Sequence, residues 1–268
     1  MPRTSQPGRS VSSRVLEVLF AFRPGRPRLT LAELTRSTGL PYATVRRLVN
    51  ELVVGGVLER EPDGYVIGVR LWQLGTLAPR TVPLRTAALP FMEDLRTAVR
   101  EHVQLAVLEG REAVIVERLS SPQAIKVISH VGGRLPLHSS GVGKVLLAHT
   151  EPEVVDRYIA GGLDRRTVHT ITDPDRLRQV LAECRESGVA TVHEETSPGA
   201  DSVATRIMDA EGRVIAALSV VVRTGTANPR SIRASVLTSG LGISRRLGWS
   251  PSVGVHNSQV SPDTVDCG

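Results

Sequence analysis

Two short helical segments joined by a glycine turn, with a hairpin pattern directly after them, constrain the fold of this chain most strongly. Thr30 and Glu33 have the spacing of a capping box, which predicts a helix that begins there and ends at Gly39. Pro41 then occupies a first helical position, and a longer helix runs through YATVRRLVNELVV to the glycine pair 55–56. Two helices joined by a glycine-containing turn of about four residues form a helix-turn-helix.

The flanking segments extend this motif on both sides. Apolar residues recur at helical spacing from Ser10 to Phe22, which predicts a first amphipathic helix that RPGRPR ends. After the long helix, VLEREPDGYVIG predicts two short strands around a turn at Pro62-Asp63-Gly64. A hairpin in this position is a wing.

The third helix has an apolar face and a polar face. At about 100° per residue, the apolar stripe consists of Val45, Leu48, Val49 and Leu52. The opposite face combines arginine, asparagine and a small residue, which are the side-chain types that read guanine, adenine and thymine edges in a major groove. A solvated helix face would carry similar residues, but the wing favours DNA. The predicted DNA-binding residues are Thr30, Tyr42, Ala43, Thr44, Arg46, Arg47 and Asn50.

The charge of the chain is unevenly distributed. Residues 1–80 contain 12 Arg against 6 Asp and Glu, whereas residues 81–268 contain 21 Arg and Lys against 21 Asp and Glu. The net charge of +6 therefore lies in the first third, as expected for a basic nucleic-acid module joined to a neutral one. A length of 268 residues also suits two modest domains.

Other features of the sequence favour a cytoplasmic protein with no membrane contact. The apolar run 214–222 is too short to span a bilayer, and the N-terminus lacks the apolar stretch of a signal peptide. Only Cys184 and Cys267 are present, so no disulfide framework is expected.

The remainder of the chain predicts an α+β domain. We expect a long helix at 82–100 and further helices at 141–149, 151–160, 174–187 and 230–247. Strands are expected at 103–109, 112–118, 125–131, 202–209 and 213–222. Short turns join neighbouring strands, which favours an antiparallel sheet.

The run LTLAELTRSTGLPYATVRRLVNELVVGGVLEREPDGYVIGVRLWQLG closely resembles the winged helix-turn-helix of the IclR family of bacterial transcriptional regulators. Thr44, Arg47 and Leu48 match the family's T-x-x-R-L pattern. LPLHSSGVGKVLLA, ESGVATVHEE, PGADSVATRIMDAEG and ALSVVV are similar to strings of its second domain, so the resemblance covers about 11 to 248. The chain departs from the common family residues at positions 201, 202, 205 and 206.

The resemblance implies an α+β fold with a winged helix-turn-helix DNA-binding domain at 10–75 and a linker and dimerisation helix region at 76–100. A GAF-like effector-binding domain with an antiparallel sheet follows at 101–249, and 250–268 is expected to be a mobile tail. It further implies a ligand-responsive regulator that binds a double-stranded operator, an inverted repeat, as a homodimer or a dimer of dimers. We expect a repressor, although the sequence does not distinguish repression from activation.

The stretch LPLHSSGVGKVLLA is not a nucleotide-binding loop, because His138 and Val145 stand where a Walker motif requires Gly and Ser or Thr. Ser139 or Ser140 instead caps a glycine-rich helix start, whose free N–H groups favour a carboxylate, so a small organic acid is the expected effector. The resemblance implies an effector pocket lined by Ser140, Gly141, Val142, Ser202, Ser219, Val221 and one of the two neighbours Val192 and His193. Alternatively, Gly141 and Gly143 only permit close helix–sheet packing. Lys144 is expected to be a surface charge.

Enzyme motifs are incomplete in this sequence. The zincin pattern begins at His193-Glu194 but ends at Ser197, and the nucleophile elbow at 242–246 lacks its last glycine. Neither paired histidines nor C-x-x-C spacing indicates a metal, so we expect no cofactor, no metal and no enzymatic activity. An architectural DNA-binding protein whose second domain binds no ligand is the main alternative.

Overall fold

The computed structural model describes residues 10–23, 25–79, 81–127, 129–226 and 229–251. Most of the tail that the sequence predicts at 250–268 therefore lies outside the described residues. The first domain contains α1 (Val11–Phe20), β1 (Arg28–Leu29), α2 (Leu31–Thr38), α3 (Tyr42–Val54), β2 (Leu58–Glu61), β3 (Gly64–Ile67) and α4 (Val69–Gly75). The predicted winged helix-turn-helix is confirmed.

Local signals determine the bounds of the two central helices. The Thr30 hydroxyl accepts a hydrogen bond from the N–H of Glu33, and the Glu33 carboxylate accepts one from the N–H of Thr30, which completes the capping box at α2. Gly39 ends α2 in the left-handed conformation. Pro41 is the N-cap of α3 and not its first helical residue, one position from the expectation. The predicted stripe of α3 is buried in the core of this domain.

The wing contains one strand that the sequence analysis did not include. β1 pairs with β3, so that a three-stranded antiparallel sheet of order β1-β3-β2 forms. Leu29 is buried in the core and pairs with Tyr65 across this sheet. Leu29 and Tyr65 also belong to the hydrophobic core formed by the helices, which fixes the wing beside α3.

The second domain is built on one antiparallel sheet of order β6-β5-β4-β9-β8-β7. Its helices are α5 (Val82–Val99), α6 (Gly141–Ala148), α7 (Pro152–Ala160), α8 (Pro174–Ser187) and α9 (Pro229–Arg246). Its strands are β4 (His102–Glu109), β5 (Glu112–Leu119), β6 (Arg134–Pro136), β7 (Val189–His193), β8 (Ala200–Met208) and β9 (Val214–Arg223). The predicted α+β class with an antiparallel sheet is confirmed.

The sheet has a separate hydrophobic core on each face. One core joins α6, α7 and α8 to the sheet through residues such as Ala106 and Ile115. The other joins α5 and α9 through residues such as Leu105 and Met92. Every residue of α6 is buried, so this short helix is the central element of its face.

The prediction of a strand at 125–131 is wrong. Residues 125–127 and 129–131 belong to no strand, and the edge strand next to β5 is β6 at 134–136. Side chains bind the backbone oxygens of this segment in place of a ladder: His102 donates to the carbonyl of Ile125, and Arg118 donates to the carbonyl of Ser129. The strand was predicted because the segment contains four β-branched residues among seven, which are common in strands.

No helix within the described ranges is both long enough and apolar enough to cross a membrane.

Candidate nucleic-acid and ligand sites

The polar face of α3 is open to solvent. Six of the predicted DNA-binding residues are exposed and Thr44 is half-buried. Arg47 donates a hydrogen bond of 2.7 Å to Glu51, one turn along the helix, and both side chains are more than half exposed. Such a surface pair contributes only about 0.3–0.5 kcal/mol, so Arg47 can leave it for a nucleic acid.

Thr30 has a structural role that differs from the other predicted contacts. Its side chain is engaged in the capping box with Glu33, and these bonds hold the pKa of the Glu33 carboxyl below its usual value. The residue therefore fixes the start of α2. Its predicted role in DNA binding stays a prediction, as do those of the residues on α3.

A small cavity opens between α6, the loop after β7 and the sheet in the second domain. Its volume is about 50 Å³, which corresponds to a few water-sized groups since one water needs about 10–15 Å³. The lining residues are Gln104, Val127, Ser129, Leu135, Ser140, Gly141, Val142, Val192, Thr196, Ser197, Ala200, Ser202, Ser219 and Val221. Apolar walls with a few hydroxyl and amide groups are typical of small-molecule sites.

The structure brings seven of the eight predicted effector residues to this one cavity. The exception is His193, and the placement expected for it is wrong. On β7 successive side chains point to opposite faces, so Val192 points into the cavity while the His193 imidazole points outward. There the ring Nδ1 lies 2.9 Å from Asp201 Oδ1.

Sequence reasoning missed half of the lining residues. Gln104 is buried among the apolar residues 103–108 of β4, which is an unusual position for an amide and the one signal that sequence reasoning could have used. Its Nε2 donates to Ser129 Oγ at 2.6 Å. Ser129, Thr196 and Ser197 lie outside the regular elements, where residue spacing gives no directional information.

Ser140 is the N-cap of α6, as one of the two serines was expected to be. Its Oγ accepts a hydrogen bond of 3.1 Å from the N–H of Gly143 and donates one of 2.6 Å to the carbonyl of Pro136. The first N–H groups of an α-helix have no partner within the helix, and α6 begins with Gly141 and Val142 at the cavity wall. This end carries a partial positive charge that suits an anion.

Close packing explains the glycines of α6 as well. A Cβ at Gly141 would lie 2.7 Å from Ser202 Oγ, and a Cβ at Gly143 would lie 2.5 Å from the carbonyl oxygen of Pro136. Position 143 therefore needs glycine because a Cβ there would meet backbone, whereas a side chain at Gly141 would require the Ser202 hydroxyl to shift. Gly141 lines the cavity and also permits this contact, whereas Gly143 only permits packing.

Lys144 is not a surface charge, and this expectation is wrong. Its side chain is 1% exposed, and Nζ forms an ion pair of 2.5 Å with Glu195, whose side chain is 8% exposed. Burial lowers the pKa of the lysine, and the nearby Glu195 carboxylate partly opposes this shift. Glu195 comes from the loop after β7, 51 residues away, and the pair connects that loop to α6.

Ser244, from the incomplete nucleophile elbow, and His138, from the stretch compared with a Walker motif, both have structural contacts. Ser244 Oγ donates to the carbonyl of Gly240 at 2.8 Å and accepts from the N–H of Met208 at 2.9 Å, so α9 is fixed to β8. His138 is buried between the Tyr158 hydroxyl and the carbonyl of Asp164. Within the described residues, no group of three or more His, Cys, Asp or Glu side chains is arranged to hold a metal.

A winged helix with an exposed arginine-bearing helix, joined to an α+β domain with a small-molecule cavity, defines a DNA-binding transcriptional regulator with an effector domain. Comparison with known families agrees: residues 12–62 match the IclR helix-turn-helix domain, and residues 78–245 match the bacterial transcriptional regulator IclR C-terminal domain. The chain belongs to the IclR family of bacterial transcriptional regulators.

Individual relatives support the same assignment over nearly the whole chain. The HTH-type transcriptional regulator XynR of Escherichia coli is 29% identical over 242 residues, covering 88% of this chain and 96% of that protein. The HTH-type transcriptional repressor AllR of Salmonella typhimurium is 30% identical, with 81% of each chain covered. An IclR homologue of Microbacterium hydrocarbonoxydans, solved in complex with 4-hydroxybenzoate, is 38% identical with a TM-score of 0.85, covering 89% of this chain and 99% of that one.

Proposed function

We propose that this regulator represses transcription by binding an inverted-repeat operator as a homodimer or a dimer of dimers, and that a small organic acid in the cavity changes its operator affinity. The observation that carries the proposal is the cavity at the N-terminus of α6, in a domain whose homologue of Microbacterium hydrocarbonoxydans was solved with 4-hydroxybenzoate. AllR, a relative at 30% identity, is a repressor.

The chemistry of the cavity favours a carboxylate at one end. The N–H groups of Gly141 and Val142 lie at the positive end of α6, where an anion is stabilised. Ser202 and Ser219 supply hydroxyl groups on the sheet side of the same cavity. A ligand with one acidic group and one further polar group would satisfy both sets.

The exposed face of α3 supports operator binding through the major groove. Arg46, Arg47 and Asn50 share this face, and the wing sheet lies beside it. In a dimer, two such helices reach successive major grooves on one side of the DNA. The half-sites of the operator should therefore recur at about 10–10.5 base pairs or a multiple of this spacing.

Exposed apolar side chains near α4 support self-association. Trp72, Leu74 and Leu77 are each at least 60% exposed, in a stretch of six residues at the end of the first domain. Large exposed apolar side chains that cluster in this way mark interaction surfaces. The proposed boundaries stay at 10–75 for the DNA-binding domain, 76–100 for the linker and dimerisation region, and 101–249 for the effector domain.

We further propose that the protein is not an enzyme and acts in the cytoplasm, where its DNA is found. An architectural role without ligand response remains the second candidate, which the exposed α3 face would support equally. The two candidates differ in one respect: a small molecule changes DNA affinity only in the first.

The test is a gel shift with DNA fragments that flank the gene, in the presence and absence of 4-hydroxybenzoate and other small carboxylates. We expect one fragment to be retained specifically and an acid to change that retention, with no turnover of the acid. Retention that no acid changes would favour the architectural role, and consumption of the acid would indicate an enzyme.

A further inference from the structure

We infer that Glu117 is the residue through which the cavity communicates with the linker helix α5. The inference rests on the proposed function, because it assigns the route by which an occupied cavity reaches the DNA-binding domain. Four contacts carry it, and they run in sequence from Gln104 at the cavity wall to Arg85 on α5.

The first contacts lie at the cavity. Gln104 and Ser129 both line it and are joined by a hydrogen bond of 2.6 Å. Arg118 lies behind them: one guanidinium nitrogen donates to the carbonyl of Ser129, and the other lies 3.1 Å from Nδ1 of His102. A ligand that displaces Ser129 therefore also displaces the Arg118 side chain.

Strand β5 contains a β-bulge next to Glu117. Leu105 pairs with Glu117 and Ala106 pairs with Ile115, so Val116 is an extra residue in β5. Beyond the bulge, Arg118 lies on the cavity face and its neighbour Glu117 on the α5 face. The Glu117 carboxylate accepts a hydrogen bond of 2.8 Å from the backbone N–H of Arg118, so a movement of the Arg118 side chain reaches Glu117 through the β5 backbone.

The last contact reaches α5. The second carboxylate oxygen of Glu117 accepts a hydrogen bond from Nε of Arg85, which lies in the first turn of the helix. The Glu117 side chain is 8% exposed and that of Arg85 is 60% exposed. A carboxylate that is almost fully buried is costly to leave unpaired, so Arg85 must follow Glu117 when β5 shifts.

The segment before β6 can change its hydrogen bonding without disturbing the sheet. Residues 125–127 and 129 form no strand, and their backbone carbonyls at Ile125 and Ser129 are held by the His102 and Arg118 side chains. Side-chain bonds can be exchanged without breaking a sheet ladder. Coupling between distant sites requires such an element, whose equilibrium both sites can bias.

The experiment uses Val221→Phe as a fixed stand-in for an occupied cavity, since Val221 lines the cavity and is only partly buried. Amide hydrogen exchange of α5 and affinity for flanking DNA are measured in the full chain, with and without Val221→Phe, in three backgrounds. These are the parent, Glu117→Gln, and the matched control Glu112→Gln. Glu112 lies on the same strand but pairs with Arg134 at the surface.

We expect Val221→Phe to change α5 exchange and DNA affinity by about fivefold or more in the parent and in Glu112→Gln. In Glu117→Gln both effects should fall to less than about twofold. If Glu117 only stabilised the fold, Glu117→Gln would change α5 exchange by the same amount with and without Val221→Phe. The non-additivity of the two substitutions is therefore the quantity that tests the inference. Arg85→Gln, a change at an exposed side chain, should abolish the effects in the same way.

The two ways of failing are distinguishable. If Val221→Phe changes DNA affinity in Glu117→Gln and Arg85→Gln as it does in the parent, the inference is wrong and the proposed function stands. If neither Val221→Phe nor any carboxylate changes DNA affinity in the parent, the proposed function fails. An α5 that does not respond in the parent, while DNA affinity does, also contradicts the inference.

Discussion

Replacing Lys144 by methionine should destabilise the effector domain far more than any other loss of a lysine charge. The lysine is fully buried, and its ion pair with Glu195 is the contact that compensates the carboxylate. In Lys144→Met the carboxylate remains buried, and the N–H of Ile171 at 3.4 Å is a weak substitute. Breaking a buried pair from one side costs about 3–5 kcal/mol.

This loss converts to a large shift in melting temperature. For a domain of about 150 residues, one kcal/mol lowers Tm by roughly 2–4 °C, so we expect a decrease of roughly 6–20 °C. Differential scanning calorimetry of the full chain measures it. The control is Lys126→Met, because Lys126 is the only other lysine in the chain and is exposed.

The double variant Lys144→Met with Glu195→Gln separates the ion pair from packing. Removing both charges leaves no uncompensated ion, so the double variant should melt above Lys144→Met. If Lys144→Met melts within a degree or two of Lys126→Met, the pair contributes nothing and the reasoning fails. A double variant whose losses simply add would show that the two side chains do not interact.

Three further changes test other parts of the structure. Arg46→Ala or Arg47→Ala should weaken operator binding by about 1–3 kcal/mol where a base is read, or reduce the salt slope by about one where a phosphate is bound, as a salt titration of affinity would show. Thr30→Ala should cost about 1 kcal/mol of stability in thermal unfolding, because it removes the cap of α2. Burial holds the pKa of His138 below its usual 6.5, so the unfolded chain binds more protons in mild acid. The Tm of the effector domain should therefore fall as the pH decreases below about 6.5, and His138→Gln should make that dependence shallower.

Much of the fold could be predicted from local patterns. The capping box at Thr30, the stripe of α3 and the glycine-ended hairpin each depend on residues a few positions apart, so spacing alone carries the information. The same holds for α8, whose bounds at 174–187 agree with the expectation. β1 was missed because two residues have no periodicity to recognise.

The wrong predictions concern contacts between side chains or backbone groups that lie far apart in the sequence. The segment at 125–131 is rich in β-branched residues like a strand, but His102 and Arg118 bind its carbonyl groups from the sheet. The sequence analysis predicted that Lys144 is a surface charge, because its partner Glu195 lies 51 residues away. Neither set of contacts can be recognised from the spacing of residues in the sequence.

At the cavity, some residues were placed correctly from the sequence and one was not. Resemblance to the family placed Gly141, Ser202 and Ser219 beside one another, and the structure brings them to one cavity. For His193 the choice between two neighbouring residues depended on the strand phase, which the geometry of β7 decides in favour of Val192. Their roles in ligand binding stay predictions.

The glycine at the cavity wall is a poor test of this site, because any side chain at Gly141 would collide with Ser202 and disturb packing as well as binding. Val221 is better suited, since it lines the cavity and is partly exposed. Val214→Phe, at the other end of β9 and away from the cavity, is the matched control.

The most direct test of the account is the DNA affinity of the full chain, measured by fluorescence anisotropy while 4-hydroxybenzoate and other small carboxylates are titrated. We expect at least one acid to change the apparent Kd by about 5- to 150-fold in the parent and in Val214→Phe, and to have no effect in Val221→Phe. An unchanged Kd with every acid, or a Val221→Phe variant that responds as the parent does, would contradict control of DNA binding through this cavity.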